Sequence, residues 1–132
     1  YVIAGEIGHS DTLGTKSRVG AGGAQVMQTG SGIYHREEMY GEQTEFFQIW
    51  FEPDLQEAIR QPPTYAEYDQ QDFPMTEKSG VSIKPIIGED APISLVAKVS
   101  MDEVTIQPSS THFWRLAAGN CVAAVAINGE GA

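Results

Sequence analysis

Tyr1-Val2-Ile3-Ala4-Gly5-Glu6-Ile7-Gly8-His9-Ser10-Asp11-Thr12-Leu13-Gly14 decides the fold class. An apolar, β-branched run leads straight into a turn. In that turn Asp bonds its own backbone and Gly supplies a positive φ. The same punctuation recurs along the chain. Fourteen Gly and seven Pro divide it into short apolar runs rich in β-branched and aromatic residues. The pattern predicts an all-β protein with strands over Tyr1 to Ile7, Ala24 to Thr29, Ile33 to Glu37, Glu45 to Phe51, Val81 to Ile87, Ile93 to Met101, Glu103 to Ile106 and Cys121 to Ile127. Gly20 to Gly23 reads as a second turn. The nearly continuous apolar run Glu45 to Phe51 predicts a strand buried on both faces.

Between Glu52 and Glu77, Pro53, Pro62, Pro63 and Pro74 punctuate a polar segment. Asp54 to Arg60 reads as two helical turns after Pro53. The remainder is expected to run extended, connecting two β regions. The organisation expected is therefore 1–53, a connection over 54–79, and 80–132, packed as one domain.

The chain has 132 residues and 41% hydrophobic content, which suits a single domain with a real core. Lys plus Arg number 8 against 18 Asp plus Glu, a formal charge of −10. Such a surface repels phosphate backbones, so direct nucleic-acid binding is not expected. No apolar run approaches the roughly 20 residues that span a bilayer, so no membrane partner is expected either. Tyr1 opens an apolar run with no basic region before it, so no intact signal peptide is read there. A cytoplasmic location is expected. Both ends read as cut from something longer, and their apolar strands predict a homo-oligomer formed through exposed strand edges. Cys121 is the one cysteine, which excludes an internal disulfide. Its apolar surroundings predict a buried, inert thiol.

The strongest chemical cluster is Gly30-Ser31-Gly32-Ile33-Tyr34-His35-Arg36-Glu37-Glu38. On a strand, His35 and Glu37 are two apart and share a face. Imidazole plus carboxylate is half of a site for a divalent transition metal, or else a pair of solvated side chains; the spacing leaves both open. His9 reads as a turn residue and His112 as an edge residue beside Phe113 and Trp114. No nucleophile elbow, phosphate loop or Cys-x-x-Cys pattern occurs.

These residues resemble the pirin family of double-barrel cupins. The run Tyr1 to Glu6 followed by His9 to Gly14 is similar to a family strand and its His-x-Asp turn. Gly22-Gly23-Ala24-Gln25-Val26-Met27, then Thr29 to Glu37, resembles the family signature that ends in His-x-Glu, and Gln48 to Phe51 resembles the strand that follows. From Gly80 onward the chain looks like the opening of a second cupin barrel. The resemblance implies a cupin-like β-sandwich or barrel, with His35 and Glu37 as metal ligands. Iron or another divalent transition metal would be the cofactor. Some bacterial members oxidise flavonols with dioxygen; others act as transcriptional co-regulators. The implied function is that of a metal-dependent dioxygenase on a flavonol-like small molecule. The alternative is a non-catalytic module binding a small molecule or a protein.

The family's two further histidines, in a His-Pro-His motif, are absent from this sequence, so the metal site is expected to be incomplete and to be empty or poorly filled. At the positions corresponding to them stand Arg115 and Ala117, neither a plausible ligand, with His112 three residues earlier. Val2-Ile3-Ala4-Gly5-Glu6 is echoed by Ala126-Ile127-Asn128-Gly129-Glu130. The two ends then fall at equivalent points of two repeats. The two halves are expected to close into one hybrid barrel, or to pair between chains to do so.

Overall fold

The computed structural model describes residues 1–129. It is built of antiparallel strands with one short α-helix and one 3₁₀ turn, Gln70–Asp72. β1 (Val2–Asp11) lies between β2 (Lys16–Gly20) and β4 (His35–Phe46) in one sheet. β3 (Ala24–Gln28) pairs with β5 (Thr64–Tyr68) in a second. β6 (Thr76–Lys78), β7 (Val81–Ile87) and β8 (Met101–Ile106) form a third, in that order. α1 (Leu55–Ala58) begins where Asp54 Oδ1 accepts the amide hydrogens of Gln56 and Glu57, which would otherwise lack partners. No helix among the described residues is long and apolar enough to cross a membrane.

The β1–β2 turn forms as its composition dictates. Asp11 Oδ1 accepts the amide hydrogens of Leu13 at 2.8 Å and Thr15 at 3.0 Å. The β1–β4 register slips between Val2 and Ala4 and again between Ala4 and Glu6. Gly5 occupies this bulge at φ +72°, where a Cβ would lie 2.5 Å from Thr44 Oγ1. The position therefore accepts only glycine without local rearrangement.

Two apolar clusters hold the sheets together. Val2, Ile7 and Val19, with Phe46 against them, bind the first sheet. Ala24, Phe73, Ile86, Ile87 and Ile93 form the larger cluster, joined by Tyr1, Phe51 and Met101. Residues from before Pro53 and after Gly80 thus share one core.

Several expectations are corrected. Among the described residues no ladder joins the three sheets, so the hybrid barrel does not close. The strand expected over Glu45 to Phe51 ends at Phe46, the last residue of β4. Beyond it the chain is irregular, with Ile49 and Trp50 exposed and Phe51 turned to the core. Ile93 to Val99 form no strand; one bridge, Ile87 to Ile93, ties the segment to β7. Cys121 to Ile127 is irregular and exposed, and Cys121 is an exposed thiol rather than a buried one. Phe47 still exchanges backbone bonds with Tyr1, but among the described residues no ladder continues beyond it, nor along Ile93 to Val99 or Cys121 to Ile127, and propensity alone does not make a strand. Glu130, in the echo of the first strand, lies outside the described residues. The connection between the two β regions is more ordered than expected, supplying β5 and β6.

Candidate functional site

β4 presents His35 and Glu37 on one face, as their spacing requires. Their side chains are each about one-third exposed, and His35 Nδ1 stands 3.9 Å from Glu37 Oε1. That separation fits an ion pair but exceeds a hydrogen bond. Gln48 Nε2 donates a long bond of 3.4 Å to Glu37 Oε2. The two side chains are therefore near each other and only loosely tied.

Both line a cavity of about 700 Å³. Its walls are mostly apolar: Met27 from β3, Phe46 from β4, Phe47 and Trp50 from the segment after it, Leu95, and Met101 from β8. The volume lies within the range of sites that bury small organic ligands. Polar side chains such as Gln25, Gln28, Gln48 and Gln61 also reach the wall, and among them His35 and Glu37 place an imidazole beside a carboxylate where both can orient a ligand.

Behind them lies a buried polar pair. His9 faces Glu37 across the β1–β4 ladder, and Asp11 faces His35. Directly opposed residues share a face, so the four side chains form one patch. His9 Nε2 is 2.8 Å from Asp11 Oδ2, with side-chain exposures of 3% and 0%. An ionised Asp11 accepts only, so Nε2 carries the hydrogen and donates it. Burial opposes ionisation of Asp11. The bond from His9 and the backbone amides of Thr15 and Leu13 outweigh it and hold the carboxyl below its ordinary value. The His9 ring stacks on Tyr65 with centroids 4.0 Å apart. Tyr65 in turn shares a short hydrogen bond with Ser17 Oγ.

His9 lies within β1 and not in the turn its neighbours suggest, and Tyr65, which no sequence motif marks, covers its ring. The alternation Thr64-Tyr65-Ala66-Glu67-Tyr68 was the available signal for β5, masked by the prolines before it. His112 packs edge-on against Trp114, with centroids 4.3 Å apart, and takes no part in the cavity wall. Arg115 and Ala117 are exposed.

Among the described residues no group of three or more His, Cys, Asp or Glu side chains is arranged to hold a metal ion. A transition-metal site draws on three or more protein donors, so His35 and Glu37 by themselves do not fit an iron-type ion.

Comparison with known proteins bears directly on this face. The Pirin family model matches residues 1–51, the segment that carries His9, Asp11, His35 and Glu37. The chain is 32% identical over 114 residues to Pirin-like protein 2 of Arabidopsis thaliana, covering 83% of this chain and 35% of that one. It is 39% identical over 105 residues to a Pirin-like protein of Caulobacter vibrioides, covering 75% and 43%. The chain thus spans less than half the length of these curated relatives. Among solved structures, GK1651 from Geobacillus kaustophilus superposes with a TM-score of 0.68 at 26% identity, covering 82% of this chain and 45% of that one. Quercetin 2,3-dioxygenase from Acinetobacter baumannii superposes with a TM-score of 0.58 at 25% identity, covering 72% and 33%. The architecture is all-β and cupin-like, with its sheets left open, and over residues 1–51 the chain matches the pirin family.

Proposed function

We propose that this chain forms the wall of a binding cavity for a flat aromatic small molecule of the flavonol class, as part of a pirin-type protein acting in the cytoplasm. The observation that carries the reading is the mostly apolar cavity of about 700 Å³ with His35 and Glu37 on its wall. Aromatic and thioether side chains suit a fused planar ring system, which they contact face-on or at the edge. The Glu37 carboxylate accepts a hydrogen bond from a phenolic hydroxyl, and the His35 imidazole offers a second polar contact. The solved neighbour named for quercetin oxidation supports this ligand class.

A second reading is favoured by the same neighbour: a dioxygenase in which His35 and Glu37 are two ligands of an iron-type metal. In that case the remaining donors come from outside the described residues, because those residues gather no third donor. The metal and dioxygen would supply the oxidation chemistry. The chain's own contribution would be orientation and exclusion of water.

Calorimetric titration of the iron-free protein with quercetin tests the first reading. Saturable binding is expected, weakened about tenfold or more by Glu37→Gln. No binding by the native chain refutes it. Oxygen uptake with quercetin after adding ferrous ion, lost in His35→Ala, would favour the second. Metal content should be measured on protein never exposed to an immobilised-metal column.

A further inference from the structure

We propose that His9 is a positioning residue, whose buried ring, braced by Asp11 and Tyr65, holds His35 and Glu37 in place on the cavity wall. The inference rests on the reading of that wall as the ligand site.

Little else holds the two exposed side chains. Their mutual approach of 3.9 Å is no hydrogen bond, and the single bond to Gln48 is long. Neither contact fixes a rotamer on an exposed strand face, where several staggered wells are open. What lies next to them is His9. It faces Glu37 in the ladder, and its ring centroid is 5.8 Å from that of His35, tilted by 31°.

His9 is itself held on two sides. Asp11 takes its Nε2 hydrogen at 2.8 Å, and Asp11 is fixed by the Leu13 and Thr15 amides. Tyr65, on a different sheet, covers the ring at 4.0 Å. The side chains thus grade from no exposure at Asp11, through 3% at His9, to 32% at His35 and Glu37. That order describes a buried support beneath two groups open to a ligand. Precise placement of such groups depends on the residues behind them.

Three variants and two measurements test this. The measurements are the mobility of the His35 ring from carbon-13 relaxation at fixed pH, and the affinity for quercetin. In His9→Ala the His35 ring is expected to gain mobility, and quercetin affinity to fall about tenfold. His9→Phe keeps an aromatic ring stacked on Tyr65 but gives up the bond to Asp11, so ring mobility and affinity are expected to fall between those of the native protein and His9→Ala. Tyr65→Leu removes the brace and leaves His9, and is expected to raise His35 mobility by a smaller amount, which keeps the question decidable should His9→Ala fail to fold. Unchanged His35 mobility in His9→Ala or in Tyr65→Leu overturns the proposal, as does His9→Phe behaving like His9→Ala. Absence of quercetin binding by the native protein would refute the ligand reading alone, because His35 mobility still reports on positioning.

Discussion

The Lys84 ammonium nitrogen lies 2.8 Å from the Tyr1 hydroxyl, across 83 residues of chain. It also donates to the Gly22 carbonyl at 2.7 Å, and it stands 3.9 Å from Glu103 Oε2. Tyr1 donates to the same Glu103 carboxylate through a short bond. Burial holds the Lys84 ammonium below its ordinary value, with Glu103 opposing. One buried cation therefore links the start of β1 and the β2–β3 turn to the paired strands β7 and β8, and among the described residues no ladder joins β1 to that pair.

Lys84→Met is expected to destabilise the protein by about 2 kcal/mol. It leaves the Gly22 carbonyl and the Tyr1–Glu103 pair without their donor. The figure sits below that for a fully buried pair because the Glu103 side chain is 39% exposed, and solvent screens it. Urea denaturation measures the difference. A change under about 0.5 kcal/mol would show that the linkage contributes little.

Alkaline unfolding should track buried phenols. Burial pushes Tyr65 up to about 12, with the Ser17 bond opposing and Glu67 adding to the rise. Burial and the Glu103 carboxylate also raise Tyr1 well above its ordinary value. A phenol whose folded value is raised contributes stability that is fully present below pH 10 and is lost as pH climbs toward 12. Circular dichroism and tyrosinate absorbance recorded together across that window should show the late-ionising phenols appearing with unfolding. Tyr65→Phe should move the unfolding midpoint to higher pH; an unmoved midpoint counts against the account.

Acid should act through Asp11. Its carboxyl is held below the ordinary value of 3.8, so its contribution is present above that pH and is lost as pH falls through the lower folded value. Asp11→Asn should therefore be less stable than the native protein near neutrality, and the gap should narrow below pH 3.8. Denaturant midpoints at the two conditions measure it. A gap independent of pH would mean that the charge of Asp11 is immaterial.

Ile93 is 1% exposed although it belongs to no strand. Ile93→Ala should cost about 3 kcal/mol, the sum of lost burial and the void left against Ile86 and Ile87. Val125, 70% exposed, should tolerate the same truncation within about 0.5 kcal/mol. Thermal or urea unfolding of the two variants should separate them clearly, and equal losses would contradict the assignment of the core.

Part of this was legible from residue order alone. The turn at Asp11 to Gly14, the helix start at Asp54 and the shared face of His35 and Glu37 each follow from chemistry within a few residues. Strand β7 fell where its apolar run predicted, Val81 to Ile87. The companions of His35 and Glu37 were not legible in this way. Tyr65 reaches His9 only because β5 lies over β1, and nothing in the local sequence encodes that distance.

The sequence by itself determined the all-β class, the turn chemistry and the pairing of an imidazole with a carboxylate, because these depend on backbone preferences and on the period of two along a strand. Only the tertiary structure decided which apolar runs became strands. Val81 to Ile87 found partners on both sides, whereas Cys121 to Ile127, no less apolar, found none among the described residues and lies exposed. A strand is completed by hydrogen bonds and packing from a neighbour, and that neighbour is supplied by the fold rather than by the run itself.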